Sequence, residues 1–348
     1  MAESKKKVAV PTVEGLMGDI VTRKLKNSYD IAMRTQELLK FMISAKNWET
    51  AQELMELIRT NIKLVEKTLP HQIVAINVMR HFLKIIREEY DSGLKRKGED
   101  TTLHHMITEL NSGPATDYSK KLPSLKDDLL LRASEYRAEL ESSSANVSSR
   151  AVDQIFATEV ILTYGKSNLV EQFLKAAAKE KPMHVVVVES SQVLGGHTMA
   201  ANLAKVPNIR VSLIPDTNVF DLMTRTNKVI IGTHLVYADG GLQTIAGVHN
   251  VAATAKYFSV PVIVLTHMYK LTPKFTVSCE EYQSARNAGS RKLWETCNTS
   301  KFNIVDPIFD YVPPELIQLF IIAHQNGYSP SYIHRLLMEV YHKDDYYI

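Results

Sequence analysis

The stretch His184-Val-Val-Val-Val-Glu189 decides the fold class of this sequence. It is short, β-branched and almost entirely apolar, which is typical of a strand buried on both faces of a parallel sheet. Four more segments have the same character: Glu159-Val-Ile-Leu-Thr-Tyr164, Arg210-Val-Ser-Leu-Ile214, Lys228-Val-Ile-Ile-Gly232 and Pro261-Val-Ile-Val-Leu-Thr266. Helical patterns lie between the strands, at 169–181, 197–205, 217–226 and 242–258. Strands that alternate with helices predict a doubly wound parallel α/β sheet with right-handed crossovers.

The first part of the chain has a different period. From Leu16 to about Ala157 the apolar residues recur three or four apart, which predicts amphipathic helices. We expect three clear helices at 48–69, 72–90 and 124–140, and a polar, exposed loop at 93–123. The chain therefore divides into a disordered tail, an all-helical domain and a Rossmann-like α/β domain. Their predicted ranges are 1–14, 15–147 and 148–348.

Composition limits the classes of function. Hydrophobic residues make up 45% of the chain and charged residues 23%, as in ordinary globular proteins, and the net charge of +3 does not call for nucleic acid as a partner. The only cysteines, Cys279 and Cys297, indicate a reducing compartment and lack the spacing of a zinc site. Neither a signal peptide nor a run of about 20 apolar residues is visible. We expect a cytosolic or nuclear protein that enters no membrane.

The residues that follow each predicted strand are the candidates for chemistry, because ligands of open α/β sheets bind outside the carboxyl ends of the strands. The candidates are Gly165, Glu189, Ser191, Asp216, His234 and Asp239. Glu189 and Asp216 would form a carboxylate pair if the strand order brings them together, or they cap helices.

Two other features at the strand ends have two interpretations each. His234 and His267 could be general bases or hydrogen-bonded structural residues, and we expect His234 to bridge neighbouring loops through its two ring nitrogens. Gly195-Gly196 could cradle a phosphate or only form a turn. Since neither Gly-x-Gly-x-x-Gly nor a Walker sequence is present, we expect no cofactor.

Long motifs in the α/β part resemble a known family. The segments Arg225-Thr-Asn-Lys-Val-Ile-Ile-Gly-Thr-His234, Tyr237-Ala-Asp-Gly-Gly241, Val248-His-Asn-Val-Ala252 and Phe309-Asp-Tyr-Val-Pro-Pro-Glu-Leu-Ile317 are similar to the signature of the regulatory subunits of eukaryotic translation initiation factor 2B. His267-Met-Tyr-Lys-Leu-Thr-Pro-Lys-Phe275 and the segment 330–345 resemble the beta branch of that family. Its alpha, beta and delta subunits are homologous to isomerases of methylthioribose-1-phosphate and ribose-1,5-bisphosphate.

Departures from the isomerases predict that this chain is not an enzyme. The resemblance places a catalytic cysteine where this sequence has Gly165, and a catalytic aspartate where it has His234. At the position of the expected phosphate-site arginine, this sequence has Ser191. Without an acid, a base or an anion anchor the isomerase reaction cannot proceed. Two alternatives remain open: an active sugar-phosphate isomerase, which these substitutions disfavour, and a nucleotide-binding or dehydrogenase domain, which the missing glycine fingerprint disfavours.

What the resemblance implies is a cytosolic regulatory subunit of a guanine-nucleotide exchange factor complex. The expected partners are the delta, alpha, gamma and epsilon subunits in a hetero-decamer, with exchange catalysis in epsilon. The helical half is expected to contact the alpha subunit of initiation factor 2 and to respond to its phosphorylation. The candidate partner-binding residues are Arg132, Arg137, Asp310 and Tyr311. We also expect the apolar stripe at 316–341 to be partly exposed, so that the isolated chain self-associates.

Overall fold

A computed structural model of the 348-residue chain describes most of the sequence. The described residues are 12–22, 24–25, 27–45, 48–69, 72–96, 118–191, 194–275, 307–322 and 325–347. Both cysteines, most of the predicted tail and most of the predicted polar loop lie outside these ranges.

The described residues divide into two compact units, and the division falls within one long helix. The first unit runs up to Glu141 and includes the residues from Val340 onward, whereas the second spans Ser142–Glu339. The predicted 148–348 domain differs from the second unit at its end. Contacts of the last residues explain the difference, because Asp345 pairs with Arg59 and Arg87 of the helical unit.

The helical unit is built from five helices and contains no strand among its described residues. These helices are α1 (Val13–Val21), α2 (Ser28–Ser44), α3 (Ala51–Thr68), α4 (Ile73–Arg96) and the first part of α5 (Leu125–Ser148). Thr50 and Glu53 form a reciprocal capping box that fixes the start of α3. The predicted end of the next helix at Asp91-Ser92-Gly93 is wrong, since α4 continues to Arg96 and buries Gly93. Packing there outweighs the low helix propensity of glycine.

The second unit, called the sheet unit below, confirms the predicted α/β class. Its strands are β1 (Val160–Tyr164), β2 (Met183–Val188), β3 (Ile209–Ile214), β4 (Lys228–Gly232), β5 (Leu235–Val236), β6 (Leu242–Ile245), β7 (Val262–Leu265), β8 (Phe309–Val312), β9 (Leu319–Ile322) and β10 (Gln325–Tyr328). The main sheet has the order β10-β9-β7-β4-β1-β2-β3, and all its neighbours are parallel except β10 and β9. Strand order reverses direction at β1, as in a doubly wound fold.

Helices cover this sheet and complete its core. They are α6 (Ala151–Gln154), α7 (Asn168–Ala178), α8 (Gly195–Leu203), α9 (Val219–Met223), α10 (Val248–Tyr257) and α11 (Ile333–Val340). Ser167 caps α7 by accepting the Val170 N–H. Phe173 and Leu174 of α7 pack with Val185 and Val187 of β2 in one buried cluster. Fully buried parallel strands explain the unbroken apolar runs of the sequence.

Two expectations about the sheet unit are corrected. The predicted helix at 242–258 is strand β6 followed by α10, because Leu242–Ile245 pairs antiparallel with β5 and β8 in a separate three-stranded sheet. The predicted exposed stripe at the end of the chain is largely buried: Phe320, Leu336, Leu337 and Tyr341 are each at most 2% exposed. That stripe therefore gives no reason to expect self-association.

Candidate functional site

The crevice at the carboxyl ends of β1, β2 and β3 is a cavity of about 330 Å³. Its lining residues all belong to the sheet unit: Tyr164, Ser191, Asp216, Thr217, Val219, Phe220, Ala246, Gly247, Asn250, Val251 and Thr254. Two of the predicted residues, Ser191 and Asp216, are among them. The lining residues that follow β6 and those of α10 were missed, because that segment was interpreted as a single helix.

Asp216 holds the loop that follows β2. Its Oδ2 accepts the Ser191 N–H at 2.7 Å, while its Oδ1 is buried without a hydrogen-bond partner. Glu189 lies on the neighbouring strand end, since its N–H is bonded to Ile214 O. The Glu189 carboxylate faces His197 at 3.4 Å instead of Asp216. The strand order thus brings the two acidic residues to adjacent strand ends, and each carboxylate has a different partner.

Gly165 has a backbone conformation that favours glycine. Its φ is +59°, and an added Cβ would lie 3.2 Å from the Cβ of Ser190. Ser190 itself is fully buried, has a φ of +58°, and its Oγ has no hydrogen-bond partner. A side chain at position 165 would thus meet both steric crowding and backbone strain. A cysteine at this position would therefore be strained and crowded.

Tyr164, just before Gly165, places a hydroxyl at the inner end of the crevice. The hydroxyl donates to Ala246 O at 2.8 Å. Burial and then the negative charge of Asp216 raise the pKa of Tyr164. The hydroxyl therefore stays protonated and has no use as a base at neutral pH.

The bridging role expected of His234 stays a prediction. Its side chain is exposed and packs edge-on against Phe309, with ring centroids 4.8 Å apart. The preceding residue, Thr233, is buried, and its Oγ1 lies 2.7 Å from Leu235 O and 2.9 Å from Gln243 O. Lys270 Nζ donates to the Thr233 carbonyl at 2.8 Å. Thr233 thus joins the loops at the end of β4.

Asp239, Asp310 and Tyr311 form a second set of internal contacts. Asp239 accepts the Gly241 N–H at 2.8 Å and the Tyr311 hydroxyl at 2.7 Å. Asp310 Oδ2 accepts the Gly247 N–H at 2.6 Å, at the start of α10. Tyr311 O is 2.7 Å from His249 Nδ1. These polar groups hold β8 against its neighbours within the sheet unit.

The predicted arginines on α5 lie in ion pairs on the helical unit. Arg132 is 2.7 Å from Glu135 and 3.1 Å from Glu89. Arg137 is 2.9 Å from Glu141 and 3.5 Å from Glu37. Their side chains remain 39% and 42% exposed, so a partner could reach them. Surface pairs of this kind are weak and are readily exchanged for other partners.

The described residues contain no group of His, Cys, Asp or Glu side chains arranged to hold a metal ion. Among the helices in the described part of the chain, none is long and apolar enough to span a membrane.

This fold, a helical unit followed by a doubly wound sheet, is shared with subunits of a translation initiation factor. Residues 24–324 match the model of the initiation factor 2 subunit family, so the chain belongs to that family. It is 32% identical to translation initiation factor eIF2B subunit beta of Dictyostelium discoideum, over 91% of this chain and 92% of the relative. The sequence-based resemblance to the beta branch is confirmed.

Solved structures share the fold. The crystal structure of eIF2B beta from Chaetomium thermophilum superposes with a TM-score of 0.74 at 21% identity, covering 96% of this chain and 92% of that one. The tetrameric eIF2B-beta2-delta2 complex from C. thermophilum contains a chain that matches with a TM-score of 0.70 at 19% identity, and the match covers 94% of each chain.

Proposed function

We propose that this chain is a non-catalytic regulatory subunit of the guanine-nucleotide exchange factor complex for initiation factor 2, equivalent to the beta subunit. The observation that carries the proposal is the extent of the match to the Dictyostelium relative, which covers about nine-tenths of both chains. A protein that shared only an α/β scaffold would match over one domain. Here the helical unit is shared as well, and with it the surface that the family would use for partners.

The chemistry of the crevice supports a role without catalysis. Gly165 offers no side chain and Ser191 offers no positive charge. The Asp216 carboxylate is bonded to a backbone N–H, and the Tyr164 hydroxyl is held protonated. Acyl, phosphoryl or proton transfer needs a nucleophile or base beside an anion-stabilising group, and the lining residues supply no such pair.

The proposed partners follow from the relatives. A beta-delta tetramer is known for the Chaetomium protein, and we propose that this chain pairs with a delta subunit through its sheet unit. The alpha, gamma and epsilon subunits complete the complex, with exchange catalysis in epsilon. The helical unit then contacts the alpha subunit of initiation factor 2 and responds to its phosphorylation. Arg132 and Arg137 suit that contact because exposed charges steer a charged partner and raise its association rate.

Asp310 and Tyr311 enter this proposal in an indirect way. Both groups are engaged inside the sheet unit, where Asp310 bonds Gly247 and Tyr311 bonds Asp239. They would therefore support a partner-binding surface by fixing β8 and would not reach the partner with their polar atoms.

Co-expression of this chain with the delta subunit, followed by mass measurement, tests the assembly. Recovery of a stoichiometric complex is expected, and failure to co-purify would refute the assignment. Nucleotide release from initiation factor 2 is then compared between the full complex and a complex that lacks this chain. Release should be slower with the incomplete complex. Incubation of the purified chain with methylthioribose-1-phosphate tests the isomerase alternative, and turnover there would contradict the non-catalytic role.

A further inference from the structure

The crevice of the sheet unit has two backbone positions at which an anion would bind, and the chain fills both. The Gly247 N–H at the start of α10 is the kind of donor that binds phosphate or carboxylate, since helix N-termini carry a partial positive charge. It already donates to Asp310 Oδ2 at 2.6 Å. The Ser191 N–H, in the loop after β2, donates to Asp216 Oδ2 at 2.7 Å. An incoming phosphate would have to displace an internal carboxylate at either position.

The remaining charge of the crevice is negative. Its lining contains Asp216 and, within the described part of the chain, neither lysine, arginine nor histidine. Asp216 Oδ1 is buried without a hydrogen-bond partner, and Oδ2 accepts one backbone N–H. Burial, and then the negative charges of Asp216 and Asp310, raise the pKa of the neighbouring Tyr164, in keeping with a negative potential in the crevice. A bound cation would offset it.

The remaining lining suits a small organic ligand. Val219, Phe220 and Val251 give an apolar wall, and Phe220 is 56% exposed. The face of such a ring attracts cations. Asn250 and Thr254 of α10 are polar residues of the lining. A volume of about 330 Å³ lies at the lower end of the range for ligand pockets.

We propose that the crevice is a binding site for a small organic cation, an amine whose ammonium group pairs with Asp216 and whose carbon skeleton packs on the Phe220 wall. The site discriminates against phosphate esters because its own carboxylates occupy the anion positions. This inference goes beyond the regulatory role and does not depend on assembly with other subunits, since every residue it uses lies in the sheet unit.

Three probes that differ only in their head group test the proposal on the purified full chain. Cyclohexylamine, cyclohexanol and cyclohexyl phosphate share one hydrocarbon ring and are titrated at pH 7 with ligand-observed NMR. The amine should bind at least about tenfold more tightly than the alcohol, as expected when one charge-assisted hydrogen bond is gained. The phosphate should bind more weakly than the alcohol. Binding of the phosphate as tight as that of the amine, or no binding of the amine, would overturn the proposal.

Two variants assign the preference to its residue. Asp216→Asn keeps an acceptor for the Ser191 N–H and removes the charge, so the amine should lose its advantage over the alcohol. Asp221→Asn makes the same change on the exposed side of α9, outside the lining, and should keep that advantage within about twofold. If Asp216→Asn retained the full preference for the amine, or if both variants lost it equally, Asp216 would not be the binding group. Circular dichroism of each variant checks that the fold is retained.

Discussion

Asp345, near the end of the chain, should be among the most sensitive positions for the stability of the helical unit. Its side chain is fully buried and pairs with two arginines: Arg59 Nη2 lies 3.1 Å from Oδ1, and Arg87 Nη2 lies at the same distance. Arg87 Nη1 also donates to Oδ2. A third arginine, Arg80, is fully buried, its guanidinium has no hydrogen-bond partner among the described residues, and the charges of Glu66 and then Asp345 help to offset its burial.

Replacing Asp345 with alanine would leave Arg59 and Arg87 without the carboxylate that both contact. Arg87 has a side chain that is 5% exposed, so it cannot regain full hydration while the unit stays folded. Removing one partner of a buried pair costs about 3–5 kcal/mol, and we expect a loss in that range for the unfolding of the helical unit. Asp344→Ala is the matched control, because Asp344 is 68% exposed and 4.0 Å from Arg87. It should cost below about 1 kcal/mol.

Urea unfolding followed by tryptophan fluorescence measures both values. Trp48 lies in the helical unit, and a Trp294→Phe background makes it the sole tryptophan. The double variant Asp345→Ala, Arg87→Met should recover part of the loss, since replacing both partners of a buried pair is much less costly than removing one. A loss for Asp345→Ala as small as that of Asp344→Ala would refute the reasoning.

Three further predictions concern the partner surface, the pH response and the crevice. The double variant Arg132→Glu, Arg137→Glu should slow association with initiation factor 2 and weaken exchange by the complex, while assembly with delta survives. The reason is that the new negative charges repel the glutamates around them and reverse the electrostatic attraction of the partner. Stopped-flow binding measures the association rate, and Lys40→Glu with Lys63→Glu is the control for net charge. Burial and then Lys270 lower the pKa of His267 from 6.5 to about 3, so the unfolded chain takes up a proton first as the pH falls. Stability that is present above pH 6.5 should therefore decrease by about 2 kcal/mol between pH 7 and pH 5. The pH profile of urea unfolding should be flatter by that amount in His267→Gln. The double variant Gly165→Cys, His234→Asp should give no isomerase turnover, since Ser191 still offers no charge for the phosphate. Its free energy of unfolding should fall by about 1–2 kcal/mol because of the positive φ at position 165. Measurable turnover would show that our interpretation of the crevice is wrong.

The main strands could be predicted because their signal is local. Five runs of β-branched residues match β1, β2, β3, β4 and β7 to within one residue at each end. Strand β6 was missed because its four residues continue directly into the helical pattern of α10. It is a strand because Leu242 pairs with Val312, 70 positions further on. The order of polar and apolar residues along the chain does not contain information about such a distant pairing.

The candidate site divides in the same way. Asp216 and Ser191 were predicted from their positions after strands, which the main sheet fixes. Tyr164, Phe220 and Asn250 were missed, since their approach depends on where α9 and α10 pack. The pairing of Asp345 with Arg59 joins residues 286 positions apart, and no local signal could have indicated it.

Acidic residues at the end of a sheet are therefore weak grounds for inferring catalysis in this fold. Each of the three aspartates around the crevice and β8 has a structural hydrogen bond: Asp216 to the Ser191 N–H, Asp310 to the Gly247 N–H, and Asp239 to the Tyr311 hydroxyl. A general base needs a lone pair aimed at substrate, and a carboxylate that fixes a loop or caps a helix has committed at least one oxygen elsewhere. Removing any one of these carboxylates would leave its donor group without this hydrogen bond. The same bonds account for an acidic crevice in a chain whose relatives are translation initiation factor subunits.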